Sequence, residues 1–388
     1  MIVRDFLQWV RTAPASERAE ATSALARAYL YSDLSPDDLA AAEGAMLMLL
    51  DDPSPLVRRS LADALGASPS APPAIVVALA ADQPQIAAPV YALSPLFIDA
   101  DLVEAVATGV AAVQTAIASR AALPRSVAAA LAEVGTAESC LVLVENRDAD
   151  IAPFSINRMV ERFGHLAAVR ESLLARDDVP AATRQALVIK LSEMLAGFVA
   201  TRAWLDPDHA QRIAREACEK ATVTIAADTP ETELRPLIRH LCASGQLTAG
   251  LILRALLSGN TALFEEALAE LTDMPVARVS GLVHDRSSVG LRALFDKARL
   301  PASTYPAFKE AIEAMREGIL CEPGGGARLK RRMIERVLTR CEDQAMSEIA
   351  PLLTLLRRFA TEAAREEARL FCDELVTEDF IDVRSAAA

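Results

Sequence analysis

The sequence predicts an all-α protein assembled by stacking short helix pairs, and three observations carry that expectation. Hydrophobic residues make up 52% of the 388 residues while aromatics supply only 4%, so the interior has to be built from Ala, Leu, Val and Ile at close helix spacing. Apolar residues recur at intervals of three and four along most of the chain, which gathers them on one helix face. From Leu56 onward, segments of similar pattern return about every thirty residues. That length holds two helices and two turns, and neither helix can bury its apolar face without a neighbour.

Residues 1–11 set Ile2, Val3, Phe6, Leu7 and Val10 around Arg4 and Asp5, a short amphipathic helix too charged for a secretory signal. A break at 14–17 follows, where Ser16 is positioned to cap a second helix through Leu30. Ser35-Pro36-Asp37-Asp38 opens a third helix, to about Leu50. The hydroxyl suits an orphan amide, proline has the φ of a first turn, and the two carboxylates oppose the positive helix end. Residues 51–66, DDPSPLVRRSLADALG, repeat this logic with Ser54 as cap, Pro55 in first position, and Leu56, Val57, Leu61, Ala64 and Leu65 as the apolar stripe.

This stretch resembles the second helix of a HEAT-type repeat, in which an acidic residue precedes Val-Arg and small and large apolar residues follow, here Asp52, Val57, Arg58, Ala62 and Leu65. The resemblance implies that Asp52 and Arg58 belong to a ladder between adjacent units rather than to a ligand site. Further anchors fall at Ile86, Ile117, Ile151 and Thr183, spaced 30, 31, 34 and 32 residues apart. Second segments lie between them at 74–81, 101–109, 126–135 and 166–175. The period is shorter than the roughly 40 to 47 residues of ordinary HEAT units, and the tetratricopeptide and ankyrin patterns are missing. The expected fold is therefore an α-solenoid of short HEAT-like helix pairs with a helical C-terminal region.

Beyond Glu193 the pattern loosens. Asp206-Pro207-Asp208 caps a helix to about Ala221, and 222–228, TVTIAAD, reads as helix end and linker. Thr229-Pro230-Glu231 repeats the cap, proline and acid order, and helix pairs follow at 248–257 and 261–271 and at 276–283 and 289–298. Glu322-Pro323-Gly324-Gly325-Gly326 marks a flexible break. The sequence thus divides into an N-terminal cap (1–45), HEAT-like repeats (46–222), a second set of helix pairs (223–321) and a Gly-hinged C-terminal helical region (322–388). There Met333, Ile334, Val337 and Leu338 form one stripe, continued by Met346, Ile349, Leu353 and Leu356, with Pro351 kinking or restarting the helix.

The span 41–315 resembles an uncharacterised alphaproteobacterial family, a domain of unknown function described as HEAT-like. The resemblance rests on DDPSPLVRRSLADAL, LTAGLILRALLSGNTALFEEALAEL, VARVSGLVHDRSSVGLRALFDKARLP and YPAFKEAI. It implies a fold and no activity.

Composition restricts the function. With 40 Lys plus Arg against 53 Asp plus Glu, a net charge of -13 opposes a broad phosphate-binding surface, so nucleic acid is not the expected partner. The longest uncharged apolar run, 74–81, is far below the roughly 18 residues that span a bilayer. Six scattered Cys without a C-x-x-C pair fit reduced thiols in a cytoplasmic protein.

His165, His209, His240 and His284 stand far apart; His240, Cys242 and Cys218 lack a fourth metal ligand. His284, Asp285 and Ser287 read as loop capping rather than a triad. The Gly-rich 324–326 reads as a linker, since G-x-x-x-x-G-K-S/T is absent. The candidate interaction site is the basic cluster Arg328, Lys330, Arg331, Arg332, Arg336 and Arg340, +5 over thirteen residues against Glu335 alone. Such a helix could dock an acidic partner, or answer Glu362, Glu366, Glu367, Asp373 and Glu374 of the same chain. The expected function is a non-enzymatic scaffold or adaptor that holds another protein in a solenoid groove, with no cofactor. The alternative is an enzyme or ligand-processing module on the same scaffold, of base-excision glycosylase or chromophore lyase type, which Trp204 in a positively lined cleft beside a carboxylate would favour.

Overall fold

The computed structural model describes residues 8–10, 12–285, 288–317, 326–342 and 350–385, with backbone alone at 288, 326 and 374–385. Among these every regular element is helical, and no strand is present. The chain divides into two compact units, Met1–Val179 and Pro180–Ala388.

The first unit holds α1 (Ala15–Tyr31), α2 (Pro36–Leu49), α3 (Pro55–Leu65), α4 (Pro73–Ala80), α5 (Pro84–Leu93), α6 (Asp99–Ala107), α7 (Ala111–Ala118), α8 (Arg125–Val134), α9 (Ala137–Glu145), α10 (Pro153–Phe163) and α11 (Ala167–Leu174). Prolines open α2, α3, α4, α5 and α10, where the missing N–H would have had no helical partner. Helices α1, α3, α5, α7, α9 and α11 pack each on the next as one row, and α6, α8 and α10 form a second. Aliphatic side chains fill the space between rows, among them Leu61, Leu65, Ile75, Leu79, Ile86 and Val90.

Within each row, consecutive helices are joined by a recurring hydrogen-bond device. A helix leaves its last carbonyls without intrahelical donors, and here a side chain from the following repeat supplies them. Arg120, just past α7, donates to the carbonyls of Tyr91 and Ser94 at 2.5 and 2.9 Å. Asn146, just past α9, donates to those of Ala118 and Arg120 at 2.9 and 2.8 Å. Arg176, just past α11, donates to those of Val144 and Asn146 at 2.9 and 3.1 Å. In the second row Arg162 serves Ala132 and Gly135, both at 2.7 Å. Asp52 and Arg58 have the ladder role the HEAT resemblance implied. Asp52 pairs with Arg18 at 2.8 Å, and Arg58 with Asp82 at 2.5 Å.

Several local expectations change. Ser35 caps α2 by accepting from the Asp38 amide, but Ser16 lies inside α1, which Pro14 precedes, and Ser54 makes no side-chain cap. The Asp52 carboxylate instead takes the Ser54 amide at 2.8 Å. Leu56 is 53% exposed, so the buried stripe of α3 is Val57, Leu61, Ala62 and Leu65. The anchor spacing was too long because the anchors slip between rows. Leu56 and Ile86 sit in α3 and α5, Ile117 near the end of α7, and Ile151 before α10 in the other row.

The second unit opens with two long helices, α12 (Ala181–Thr201) and α13 (Pro207–Ala227), packed together as a hairpin. Next come α14 (Glu231–Ala243), α15 (Ala249–Leu257), α16 (Thr261–Thr272), α17 (Val276–His284), α18 (Ser288–Lys297), α19 (Tyr305–Arg316), α20 (Gly326–Glu342) and α21 (Ala350–Ser385). Helix α14 packs on α12, α15 on α13, α19 on α15, and α21 on α20, which itself contacts both α15 and α19. Phe264, Phe295 and Phe308 centre this core, with Met333, Ile334, Val337, Leu356 and Phe359 brought in by α20 and α21.

The stretch 222–228, expected as helix end and linker, forms the last turns of α13 through Ala227 and its C-cap Asp228. Thr229 does not cap α14; its hydroxyl bonds back to the Ile225 carbonyl at 2.6 Å. Pro351 lies in α21, whose described residues begin at Ala350, and residues 343–349 before it lie outside the described residues. Of the expected helix at 1–11, residues 8–10 are helical, while 1–7 and 11, residues 322–325 of the expected break at 322–326, Met346, Ile349, Arg286 and Ser287 lie outside the described residues.

Candidate interaction surfaces

The basic cluster on α20 is met largely by acids of the same unit. Lys330 pairs with Glu366 at 3.5 Å, and Arg331 with Glu335 at 2.7 Å and Glu367 at 3.0 Å. Arg336 pairs with Glu317, and Arg340 with Glu310 at 3.0 Å and Glu317 at 3.2 Å. Arg328 and Arg332 are exposed. These pairs tie α20 to α19 on one side and α21 on the other, so Glu366 and Glu367 answer the cluster as the composition of the C-terminal region suggested. Docking of an acidic partner on α20 remains a proposal resting on the charges alone.

A second surface is a groove of about 360 Å³ in the first unit. Its walls are α4 and α6, with Val76, Val77 and Ala80 facing Asp101, Glu104 and Ala105. Its floor is the stacked pair Tyr91 and Phe97, ring centroids 4.9 Å apart, with Leu96 beside them. Val77 is exposed at its mouth. Burial, together with the carboxylates of Asp101 and Glu104, holds the Tyr91 phenol above its ordinary range. The groove therefore combines an apolar floor with a negative rim.

A third surface is the far end of the α12–α13 hairpin, where Met194, Leu195, Phe198, Trp204, Leu205 and Ile213 are exposed. The Phe198 and Trp204 rings meet edge to face, 5.7 Å between centroids, and the Arg202 guanidinium lies 5.0 Å from the Phe198 ring.

Several titratable groups are shifted by burial. Burial pushes the Cys140 and Cys341 thiols up to about 11, away from the thiolate form a nucleophile needs. Burial lowers His240, whose Nε2 lies 3.1 Å from Gln185 Oε1. Burial raises Glu219, which accepts from the Thr248 hydroxyl at 2.9 Å. His284 Nε2 lies 2.9 Å from Glu265 Oε1. Among the described residues no group of three His, Cys, Asp or Glu is arranged to hold a metal, and no helix is long and apolar enough to cross a membrane.

A family model described as an uncharacterised protein conserved in bacteria (DUF2336) matches residues 86–347. The chain belongs to this family. No curated protein and no solved structure matches the chain. The DUF2336 segment begins in α5 and ends past α20. It thus lies further along the chain than the 41–315 span of the sequence resemblance, excluding DDPSPLVRRSLADAL and taking in the basic helix and the whole hairpin. Neither the groove nor the hairpin was singled out in the sequence. The groove draws on three separate elements, which no local pattern links. The hairpin had a signal, since 186–200, ALVIKLSEMLAGFVA, is apolar on nearly every side.

Proposed function

We propose that this DUF2336 protein is a non-enzymatic helical-repeat scaffold of the cytoplasm, holding a protein partner in the solenoid groove of its first unit. The observation that carries this reading is the groove between α4 and α6: an apolar floor of Tyr91, Phe97 and Leu96, walled by Val76 and lined by the carboxylates of Asp101 and Glu104. Such a site fits a segment presenting one or two apolar anchors flanked by Lys or Arg, because the anchors displace water from the floor while the cations meet the rim. Free cysteines at 140, 218, 242, 341 and 372 suit a reducing compartment.

The enzymatic alternative asked for Trp204 in a positively lined cleft beside a carboxylate. Trp204 instead stands 65% exposed at the end of the hairpin, and no observation favours that reading.

The test is capture from lysate with the intact chain, its Val77→Asp variant and its Glu104→Lys variant. The expected result is a partner retained by the wild type and lost by both variants at unchanged thermal stability. Identical capture by all three, or turnover of a small molecule, overturns the reading.

A further inference from the structure

We propose that the α12–α13 hairpin is a dimerisation element, on which a second copy of this chain packs its own hairpin about a two-fold axis. Each helix has 21 residues, yet the unit covers only part of the pair. The buried side chains of α12 are Ala181, Thr183, Gln185 and Leu187, all in its first two turns, and those of α13, Ala210 apart, begin at Cys218. Among the described residues the α12 side of the other end is uncovered, while Ile213 on α13 lines a cleft shared with Leu370 of α21.

That uncovered end is patterned for a helical neighbour. Leu191, Met194, Leu195 and Phe198 follow the i, i+3, i+4, i+7 spacing of a helix–helix seam, and Met194, Leu195 and Phe198 are 44%, 54% and 48% exposed. A helix that is apolar nearly all round is normally buried. Beside the seam, Ala196, Gly197, Ala200 and Ala214 line a cleft of about 380 Å³, room for a bulky side chain from a facing copy. The edge-to-face contact of Phe198 with Trp204 holds two large anchors in place, which lowers the ordering entropy that association costs.

Charge selects the occupant. The whole chain carries -13, but the segment 188–216 balances Lys190, Arg202, Arg212 and Arg215 against Glu193, Asp206, Asp208 and Glu216. A strongly charged partner finds no field there to steer it, whereas two copies meet without local repulsion. The six exposed apolar side chains offer on the order of 600 Å² per copy, so a dimer would bury on the order of 1,200 Å², above the roughly 1,000 Å² a specific interface needs.

The experiment is sedimentation velocity on the full chain from about 1 to about 100 µM. A dimer mass is expected for the wild type and a monomer mass for the double variant Leu195→Glu, Phe198→Glu, with circular dichroism unchanged. Should that variant fail to fold, Trp204→Glu at the turn of the hairpin is expected to weaken the dimer at least tenfold. A wild type that stays monomeric throughout overturns the proposal, as does one that is monomeric but binds anionic vesicles, which would make lipid the occupant. A dimer that persists in folded variants overturns it equally. The groove variants Val77→Asp and Glu104→Lys leave the dimer intact, so failure of the groove reading and failure of this one are told apart.

Discussion

Arg58 spans two repeats. It donates to both carboxylate oxygens of Asp82, from Nε at 2.5 Å and Nη2 at 3.1 Å, while its Nη1 reaches the Asp52 carbonyl at 2.6 Å. Both side chains are largely buried, 11% and 16% exposed. Removing the guanidinium strands a half-desolvated carboxylate and an unpaired carbonyl, so Arg58→Ala should cost about 2–3 kcal/mol. Arg58→Lys should lose much of the same, because an ammonium cannot serve two carboxylate oxygens in a fork and a third acceptor together. Urea unfolding of the two variants beside the wild type measures this. A shift below about 0.5 kcal/mol, the range of a surface pair, would show that the repeats stack without the ladder.

The same pair gives stability a pH dependence of defined sign. The hydrogen bond from Arg58 holds the Asp82 carboxyl below the usual carboxylate range against the opposing effect of burial. At Asp52 burial acts upward but is outweighed by the Arg18 hydrogen bond, the Ser54 amide and the charges of Arg18 and Arg58. With a folded value below the unfolded one, the unfolded chain takes up the proton first as pH falls. The stabilisation is complete above the unfolded value, about pH 4, and is lost as pH falls through the depressed folded value. Urea midpoints should therefore drop on acidification, and Asp82→Asn should show a shallower drop from a lower starting stability. Parallel curves for the two proteins would remove Asp82 from the acid transition.

The stacked-helix fold was legible because burial of one stripe per helix leaves a mark at every third or fourth residue. Proline starts such as Pro36, Pro55 and Pro207 were legible too, being fixed by φ alone. The phase of the repeat was not. Apolar anchors such as Ile117 and Ile151 serve either row equally well, so they slide. The true phase is written in Arg120, Asn146 and Arg176, each placed after a first-row helix to satisfy the carbonyls of the preceding one. Side-chain caps misled for a related reason. Ser54 and Thr229 have cap chemistry, but Ser54 makes no side-chain cap while its backbone amide donates to the Asp52 carboxylate, and the Thr229 hydroxyl donates to the Ile225 carbonyl. The basic helix was visible as charge, while its pairing with Glu310, Glu317, Glu366 and Glu367 depends on folding and could not be read from spacing.

The thiols should divide by burial. Cys140 and Cys341 are buried and raised to about 11, whereas Cys242 and Cys372 are exposed. An alkylating reagent near pH 8 should modify Cys242 and Cys372 first, with Cys140 and Cys341 protected by at least about 100-fold until the chain unfolds. Mass spectrometry of timed digests follows each site. Early labelling of Cys140 would mean that α9 opens readily in the native state.

Arg254 is the most deeply buried cation of a network that joins α15 to the C-terminal helices. Its side chain is 5% exposed, its Nη1 lies 2.7 Å from Glu362 Oε2, and its guanidinium stacks 4.1 Å from the Phe359 ring centroid. Among the described residues its Nε has no hydrogen-bond partner, so Glu362 is the main compensation for a charge removed from water. Glu362 is less dependent on Arg254, being 30% exposed and also facing Lys220 at 3.4 Å. Breaking the pair from the two sides should then be unequal. Glu362→Ala leaves the buried guanidinium unpaired and should cost about 3–5 kcal/mol. Arg254→Met removes the charge, keeps contact with Phe359 and should cost much less, with the double variant close to Arg254→Met alone. Urea unfolding gives the energies, and hydrogen exchange along α21 reports whether the loss is local to that helix. Equal costs for the two single variants would mean that Lys220 and Lys330, rather than Arg254, set the position of α21.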